Sequence, residues 1–484
     1  MRAPTRTHIQ SVTFRRVAFV SALLGVTGCA TLRSTLGTYD VGPNGIGRAQ
    51  LRLRDALVHA DFPFALAFRE DDALLRALNT GVTTFYASQF ARSAAVLDSA
   101  ALLADDRITA SLSRDVLALV TSDLARPYQP RRTERLFIAY YAMLSYARVE
   151  RWEDAAVEAR RLSSLLGQYS ADVSLDERST HGAMHYLAGA VFERAGERGA
   201  AQVAYRNASS LLGAPADSVL GKLASGNGEL LVVVERGFVA HRTTASINVF
   251  FGSSDRDSLR DSSALHSGLP SRIAERIARS DKTGAVVYRH EQVPRVGRGK
   301  RDHDHDDDDD DDDDDTDRDG YWLSVAVPSL RRTTRPSGGD VGLAIDGIQL
   351  SSSRMNAMID DASAADERRE RVALLTRAGA RAATKYALAK AVKDKKGEVA
   401  GKIANIGASM LERADNRSWH VLPQEIRLLR VPLAPGQHIV QLTVGAGLDA
   451  RRIDVGPVTV RTGVLTIAST RLWSDAPPAM LAQR

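Results

Sequence analysis

A change of hydrophobic period divides this chain of 484 residues into two halves. From about Leu51 to Leu223 the sequence is rich in Ala, Leu and Arg, has few prolines, and repeats its apolar residues at helical spacing. The stretch Gly226-Asn227-Gly228-Glu229 ends that pattern. The run from Leu231 to Phe238 that follows is rich in β-branched residues, as in a buried strand. The sequence therefore predicts an α+β fold in which helices precede strands.

The second half predicts strands on either side of one helical segment. The stretches Glu425–Val444 and Val455–Trp473 alternate apolar and polar residues, with Pro435-Gly436 as a turn. We expect earlier strands at Ser246–Phe251, Val286–Tyr288, Trp322–Val327 and Gly342–Ile345, the last followed by the hairpin signal Asp346-Gly347. The helical interlude is predicted over 361–414. Residues 226–484 should thus form a β-rich domain, either a small sandwich or an open barrel.

The N-terminus predicts a signal peptide over residues 1–28. Arg15 and Arg16 are followed by VAFVSALLGVTGC, a charged region and then an apolar run of about a dozen residues. That run is too short to span a bilayer, which needs roughly 20 residues. The end of the run, Val26 to Cys29, resembles a bacterial lipobox. The resemblance implies cleavage before Cys29 and a lipid on its sulfur.

Lipidation at Cys29 predicts a membrane-anchored envelope protein, with residues 29–50 as a linker. Acyl chains anchor with about 0.8 kcal/mol per buried methylene, so two or three chains together hold a protein stably. Ala30 follows the cysteine, and resemblance to the enterobacterial sorting rule then favours the outer membrane, with the protein facing the periplasm. The alternative is an ordinary secretory signal with a chance cysteine. Since Cys29 is the only cysteine, internal disulfides and thiolate zinc clusters are excluded.

Three stretches of the helical half share one spacing of small and large residues. They are Gly81, Phe90, Ser93, Leu97 and Ala100; Met143, Tyr146, Trp152, Ala155, Ala159 and Leu162; and Gly189, Phe192, Gly196, Ala201, Tyr205 and Ala208. Each resembles a tetratricopeptide (TPR) repeat, in which small residues let two antiparallel helices approach closely. The units begin 62 and 46 residues apart, instead of the roughly 34 of a regular array. Residues 51–225 are therefore predicted to form an irregular TPR-like solenoid, with a generic helical bundle as the alternative.

Five residues are candidates for partner binding. Tyr140 and Tyr141 belong to an apolar stripe at helical spacing, which predicts either an aromatic-lined peptide groove or a buried helix face. Trp152 could stack on a ligand or belong to the core. Arg417 and Trp419 could form a binding spot together with Asp415, or a structural corner that enters a strand.

The order of these segments resembles a family of uncharacterised TPR-containing bacterial lipoproteins. The resemblance covers most of residues 29–470, and its most specific element is Ala414 to Trp419, followed by Leu422-Pro423. It implies architecture and location and brings no established reaction with it. The sequence also shows no P-loop, nucleophile elbow, HExxH or GxGxxG motif, so we predict that the chain is not an enzyme.

A tract of aspartates interrupts the second half. Fourteen Asp lie within 302–319, and the insertion 295–320 is predicted to be a disordered acidic loop because an Asp run repels itself and buries no apolar surface. Asp315, Asp317 and Asp319 read as the start of an EF-hand-like loop, but the twelfth position is Ala326 where a closing Glu is needed. The sequence thus predicts at most weak divalent-cation binding. The alternatives are an inert surface insertion and a loop that screens the basic body.

Charge and location together favour an envelope adaptor. The pI near 9.3 combines a basic body with one tract of net charge −13, and the near-neutral mature chain and its location disfavour nucleic-acid binding. We predict a non-enzymatic scaffold that binds unidentified envelope proteins, has the lipid on Cys29 as its membrane contact, and needs no cofactor. The alternatives are an enzyme with an unrecognised site in the β-rich half, and a polyanionic surface protein that binds divalent cations.

Overall fold

The computed structural model describes residues 47–111, 126–213, 226–251, 321–332, 341–350, 353–396, 414–445 and 451–473. The chain divides into two compact units, Met1–Leu51 and Arg52–Arg484. The second unit holds helices in the N-terminal half and strands mostly in the C-terminal half, so the predicted mixture of helix and sheet is confirmed.

Among the described residues, helices dominate up to residue 212, and one long helix follows later, between strands. They are α1 (Arg48–Val58), α2 (Phe62–Ala67), α3 (Ala73–Tyr86), α4 (Phe90–Ser111), α5 (Arg132–Arg148), α6 (Trp152–Tyr169), α7 (Arg178–Arg194), α8 (Arg198–Leu212) and α9 (Ile359–Lys396). The last of these lies where the sequence predicts a helical segment over 361–414, of which 397–413 fall outside the described residues.

Three helix pairs, α3–α4, α5–α6 and α7–α8, are joined by the same three-residue turn. Its middle residue is left-handed each time, with φ of 60° at Ser88, 56° at Glu150 and 80° at Gly196. The residue after it donates its N–H to a carbonyl five residues back, as Gln89 does to Thr84 at 2.8 Å. This is the Schellman arrangement that satisfies carbonyls at a helix end. Since each connection is so short, the two helices of a pair lie side by side.

Small residues let the two helices of a pair approach closely. A Cβ at Gly81 would lie 2.6 Å from Leu97, and a Cβ at Gly189 would lie 2.9 Å from the Tyr205 ring. In the middle pair the two equivalent positions, at the same spacing in the sequence, are Met143 and Ala159, and both residues are fully buried. The large residue has therefore moved from the second helix to the first, which accounts for Met143 where the repeat pattern has glycine.

Ser93 departs from the repeat pattern, and its hydroxyl forms two hydrogen bonds. Its hydroxyl donates to the carbonyl of Gly81 at 2.7 Å and accepts from the Ser145 hydroxyl at 3.0 Å. Because the residue is fully buried, these bonds compensate for the loss of water. The serine thus joins α4 to α3 and α5.

In the described part of the chain, the strands form two four-stranded sheets and one separate pair. They are β1 (Gly228–Arg236), β2 (His241–Phe251), β3 (Tyr321–Arg331), β4 (Val341–Ile345), β5 (Ile348–Leu350), β6 (Ser353–Met358), β7 (Glu425–Leu433), β8 (Gly436–Val444), β9 (Arg451–Val460) and β10 (Leu465–Leu472). The first sheet has the order β10-β1-β7-β6 and the second β5-β4-β8-β9, while β2 pairs with β3. Within the first sheet, β1 runs parallel to β10 and antiparallel to β7.

The first sheet lies between the helices and the second sheet. Along β1, Leu231 and Val233 belong to the core shared with the helices, whereas Leu230, Val232 and Val234 belong to the core shared with the second sheet. Successive residues of a strand point to opposite faces, so both faces of β1 are covered. This explains why every residue of β1 is buried and why its middle, from Leu230 to Val234, is a continuous apolar run.

Two short connections carry the chain from one sheet to the other. The Ala434-Pro435 link follows β7 in the first sheet and leads to β8 in the second. A four-residue link takes the chain from β9 back to β10 in the same way. By contrast, Asp346-Gly347 joins the antiparallel partners β4 and β5 with φ of 52° and 81°, the two positive values of a type I′ hairpin turn.

We expect Gly189→Ala to lower the free energy of unfolding by about 1 to 3 kcal/mol, because the added methyl overpacks the contact between α7 and Tyr205. Urea denaturation of the full chain measures this change. Gly167→Ala is the matched control, since a Cβ there meets no atom within 4 Å. That control should leave stability unchanged or raise it by up to about 1 kcal/mol. Equal destabilisation by both substitutions would contradict the packing explanation.

Candidate functional site

Tyr140 and Tyr141 lie inside the protein. Both are fully buried, and the Tyr140 hydroxyl donates to a carboxylate oxygen of Glu235 at 2.8 Å. The Tyr141 hydroxyl bonds that of Tyr86 at 2.8 Å, and Arg471 donates to the same Tyr86 oxygen at 2.8 Å. Burial raises the pKa of both tyrosines well above the ordinary value. These side chains join the helices to the first sheet, so in the folded chain they present no surface to a partner.

Arg417 and Trp419 lie in the segment that leads into β7. Trp419 is fully buried, and its backbone N–H donates to Glu134 at 2.7 Å. Arg417 donates to both carboxylate oxygens of Asp415, at 2.8 and 2.7 Å, and to the carbonyl of Arg126 at 2.8 Å. These hydrogen bonds attach the segment to the helical half, as in a structural corner that enters a strand.

Trp152 is half-buried at the start of α6 and packs against the core shared by the helices and the first sheet. The Arg194 guanidinium lies 4.4 Å from its ring centroid, a cation–π contact. Arg194 therefore occupies a face of the ring on which a ligand could otherwise stack.

The predicted lipid and cation sites lie outside the described residues. Cys29 lies within residues 1–46, before the first described residue, and Asp315, Asp317 and Asp319 lie in the acidic insertion. Among the residues that the structure describes, no group of three or more His, Cys, Asp or Glu could hold a metal ion. Within the same residues, no helix has the length and apolar character needed to cross a bilayer.

An open groove lies between α6 and α8, above α7. Its volume is about 720 Å³, within the range of ligand sites. The lining residues come from all three helices: Arg160, Ser163, Leu166, Gly167 and Ser170 from α6 and its end, His185 and Phe192 from α7, and Gly199, Ala200, Val203, Ala204, Asn207, Ser210 and Leu211 from α8. No cluster of charges converges there, so the groove suits an uncharged apolar ligand.

Two glycines leave the walls of the groove unfilled. A Cβ at Gly167 in α6 or at Gly199 in α8 would meet no atom within 4 Å, and neither residue has a positive φ. Neither the backbone nor internal packing therefore requires glycine at these two positions. Beside them Val203 is 53% exposed, which leaves an apolar side chain facing the open space.

The floor of the groove holds buried polar atoms. His185 is 8% exposed, and neither its Nδ1 nor the Ser163 hydroxyl has a hydrogen-bond partner among the described residues. Burial, and then the nearby His181, lower the pKa of His185 to about 4. The imidazole is thus neutral at pH 7 and can donate from one nitrogen and accept at the other.

At the rim, Arg160 is the one charged residue among the described residues that line the groove. Its guanidinium donates to both carboxylate oxygens of Glu197, at 2.7 and 2.8 Å. The charge is therefore balanced within the protein, and the groove presents no free charge to a ligand from this residue.

No motif in the sequence singles out the groove residues. The available signal is the pair Gly167 and Gly199, which lie in the last turn of α6 and the first turn of α8, where glycine is a weaker helix former than alanine. Sequence alone does not separate them from Gly81 and Gly189, which serve internal packing.

Comparison of the chain with protein-family models, with curated protein sequences and with solved structures finds no match. The functional conclusion therefore rests on the geometry described above and on the N-terminal motif.

We expect His185→Gln to make the protein less sensitive to acid. In the unfolded chain histidine takes up a proton near pH 6.5, whereas in the folded chain His185 stays neutral down to about pH 4. Its contribution to stability is complete above pH 6.5 and is lost as the pH falls from there towards 4. Between pH 7 and pH 5 the wild type should lose about 2 kcal/mol more than the variant.

Urea denaturation of both proteins across this range measures the difference. The comparison must be made between the two proteins, because burial raises the pKa of Glu158 to about 7 and of Asp366 to about 6 in each of them. Parallel stability curves would show that His185 does not titrate as the structure indicates.

Proposed function

We propose that this chain is a non-enzymatic lipoprotein that binds a protein partner at the periplasmic face of the bacterial outer membrane. The lipobox-like sequence ending at Cys29 supports the anchor, since the only cysteine stands where lipidation needs it. Ala30 after it supports the outer membrane by resemblance to the sorting rule. Acyl chains on Cys29 would hold the folded unit at the membrane surface.

The repeated helix pairs support a TPR-like architecture for the partner-binding half. The three identical turns and the matched small and large positions are what such a repeat requires. One surface of these helices shares its core with the first sheet of the same chain. A partner would therefore use another surface of the helical half.

The groove between α6 and α8 is the observation that carries the proposal. It combines a lining with more apolar than polar surface, an exposed Val203 and wall positions that no described residue fills. Its volume lies within the range of ligand sites, which are concave and mostly apolar with a few polar groups.

The membrane anchor is tested by Cys29→Ser. We expect the variant to lose incorporation of an alkyne-tagged fatty acid and to move from the membrane fraction to the soluble fraction. Thr31→Ser is the matched control, because it changes a neighbouring residue and leaves the thiol in place. A Cys29→Ser protein that still fractionates with membranes would mean that something other than this thiol tethers it.

Partner binding is tested by photo-crosslinking in intact cells. A p-benzoylphenylalanine is placed, one position at a time, at the exposed apolar residues Leu102, Val157, Leu175, Val203 and Val372. We expect one or a few positions to yield the same discrete product with a second protein. If all five positions yield no product, or only products with the chain itself, the adaptor proposal fails.

A further inference from the structure

We infer that the groove between α6 and α8 receives an amphipathic helix of the partner protein, with an uncharged docking face that presents a hydroxyl or amide to Ser163 and His185. This inference rests on the proposed function and adds the chemistry of the partner. The shape of the groove, its charge and its floor each support one part of it.

The length of the walls fits about three turns of helix. The groove follows α6 from Arg160 to Ser170 and α8 from Gly199 to Leu211. At 1.5 Å per residue each wall is about 15 to 18 Å long. Both walls pack on α7, so a guest helix would lie in the gap between them and contact three helices. Gly167 and Gly199 give its backbone room to approach.

Backbone hydrogen bonding favours a helix over an extended peptide. An extended guest needs partners for its N–H and C=O groups when it is buried. The groove is formed by helices, whose own backbone groups are bonded internally. Six of its fourteen described lining residues have polar side chains, too few to pair every N–H and C=O of an extended guest that runs the length of the walls. A helix satisfies its own backbone, so it can enter an apolar groove and be held by residues at i, i+3, i+4 and i+7.

Charge balance requires the docking face to be uncharged. Arg160 is already paired with Glu197, and the other lining residues carry no charge at pH 7 because His185 is neutral. A charged guest side chain would lose its water and find no partner, which is strongly unfavourable.

The buried polar atoms at the floor of the groove favour one polar side chain on the docking face of the guest helix. His185 Nδ1 and the Ser163 hydroxyl are buried and have no hydrogen-bond partner among the residues that the structure describes. A buried polar atom left without a bond costs about 1 to 3 kcal/mol. A guest hydroxyl or amide can donate and accept, so it can form the missing bond with either side chain. His181 faces the same imidazole from α7, one turn away.

The crosslinking position separates this inference from the proposed function. Val157 in α6 and Val203 in α8 are equally exposed, at 52% and 53%, but only Val203 lines the groove. We expect the photo-crosslinker at position 203 to capture the partner and the crosslinker at position 157 to miss it. The captured peptide, identified by mass spectrometry, should have apolar residues at helical spacing, no charge on that face, and one Ser, Thr, Asn or Gln within it.

Several outcomes would overturn the inference while the adaptor proposal stands. They are capture at Leu102, Val157, Leu175 or Val372 but not at Val203, and a captured segment with charges on its docking face. Capture of a second copy of this chain or of lipid at position 203 would also overturn it. If none of the five positions captures another protein, both the inference and the proposed function fail.

Filling the groove provides the second test. The double variant Gly167→Leu/Gly199→Leu should fold as well as the wild type, because neither new side chain meets a neighbour at its Cβ. A synthetic peptide of the captured segment, followed by fluorescence anisotropy, should bind the variant at least ten-fold more weakly than the wild type. Unchanged binding to a correctly folded variant would exclude the groove, and thermal unfolding of both proteins establishes that the variant is folded.

Discussion

The burial of β1 on both faces is the constraint on which the rest of the structure depends. A strand enclosed in this way must be covered by two different layers, and here they are the helices and the second sheet. Two glutamates of β1, Glu229 and Glu235, lie among the buried residues of the strand. A buried carboxylate is stable only when it is paired. Arg430 of β7 pairs with Glu229, whereas Glu235 accepts from the Tyr86 hydroxyl, to which Arg471 of β10 donates. The tyrosines of the helices complete the pairing, because Tyr140 donates to Glu235 and Tyr205 accepts from Arg430 at 2.9 Å. These polar contacts fix the position of the helices on the sheet more specifically than apolar packing alone, since hydrogen bonds depend on direction.

This surface of the helices packs against the first sheet of the same chain, so a partner must bind elsewhere. Aromatic side chains on a helical repeat suggest a ligand groove, but Tyr140 and Tyr141 are fully buried at the contact with the first sheet. The same contact connects residues that are far apart in sequence: Arg54 in α1 donates to the carbonyl of His420 at 2.6 Å. The helices and the sheet therefore share one core, and a partner reaches only the surfaces turned away from it. The groove between α6 and α8 lies on such a surface, which is why it becomes the candidate docking site.

The sequence predicts the local elements of this fold better than their arrangement. Periodicity locates the helices and strands because the 3.6-residue and two-residue repeats are local properties. The spacing of Gly81 and Leu97, or of Gly189 and Tyr205, predicts paired helices because the two residues fill one volume. What covers the helices depends on contacts such as that between Tyr86 and Arg471, separated by 385 positions, and no local pattern encodes it. The two-residue link after β7 shows the same limit, since it resembles a hairpin turn and yet leads to a strand of the other sheet. The groove was not predicted, because no local pattern marks the mixture of small, apolar and polar residues that line it.

Glycine has two distinct roles in the helical half, and the difference lies in what a Cβ would meet. At Gly81 and Gly189 it would contact the side chain of the paired helix, so the absence of a side chain serves the internal packing. At Gly167 and Gly199 it would meet empty space, and alanine there would remove backbone entropy from the unfolded state without a steric cost. In terms of folding alone, glycine at these two positions is therefore less favourable than alanine. Open space on both walls of one apolar groove, above a buried imidazole and a buried hydroxyl with incomplete hydrogen bonds, is accounted for when an external helix supplies the missing contacts. The isolated chain is then less stable at the groove than alanine at these positions would make it, and binding of the guest helix would offset this loss. Burial of Val203 and of the guest's apolar residues would contribute about 25 cal/mol for each Å² removed from water.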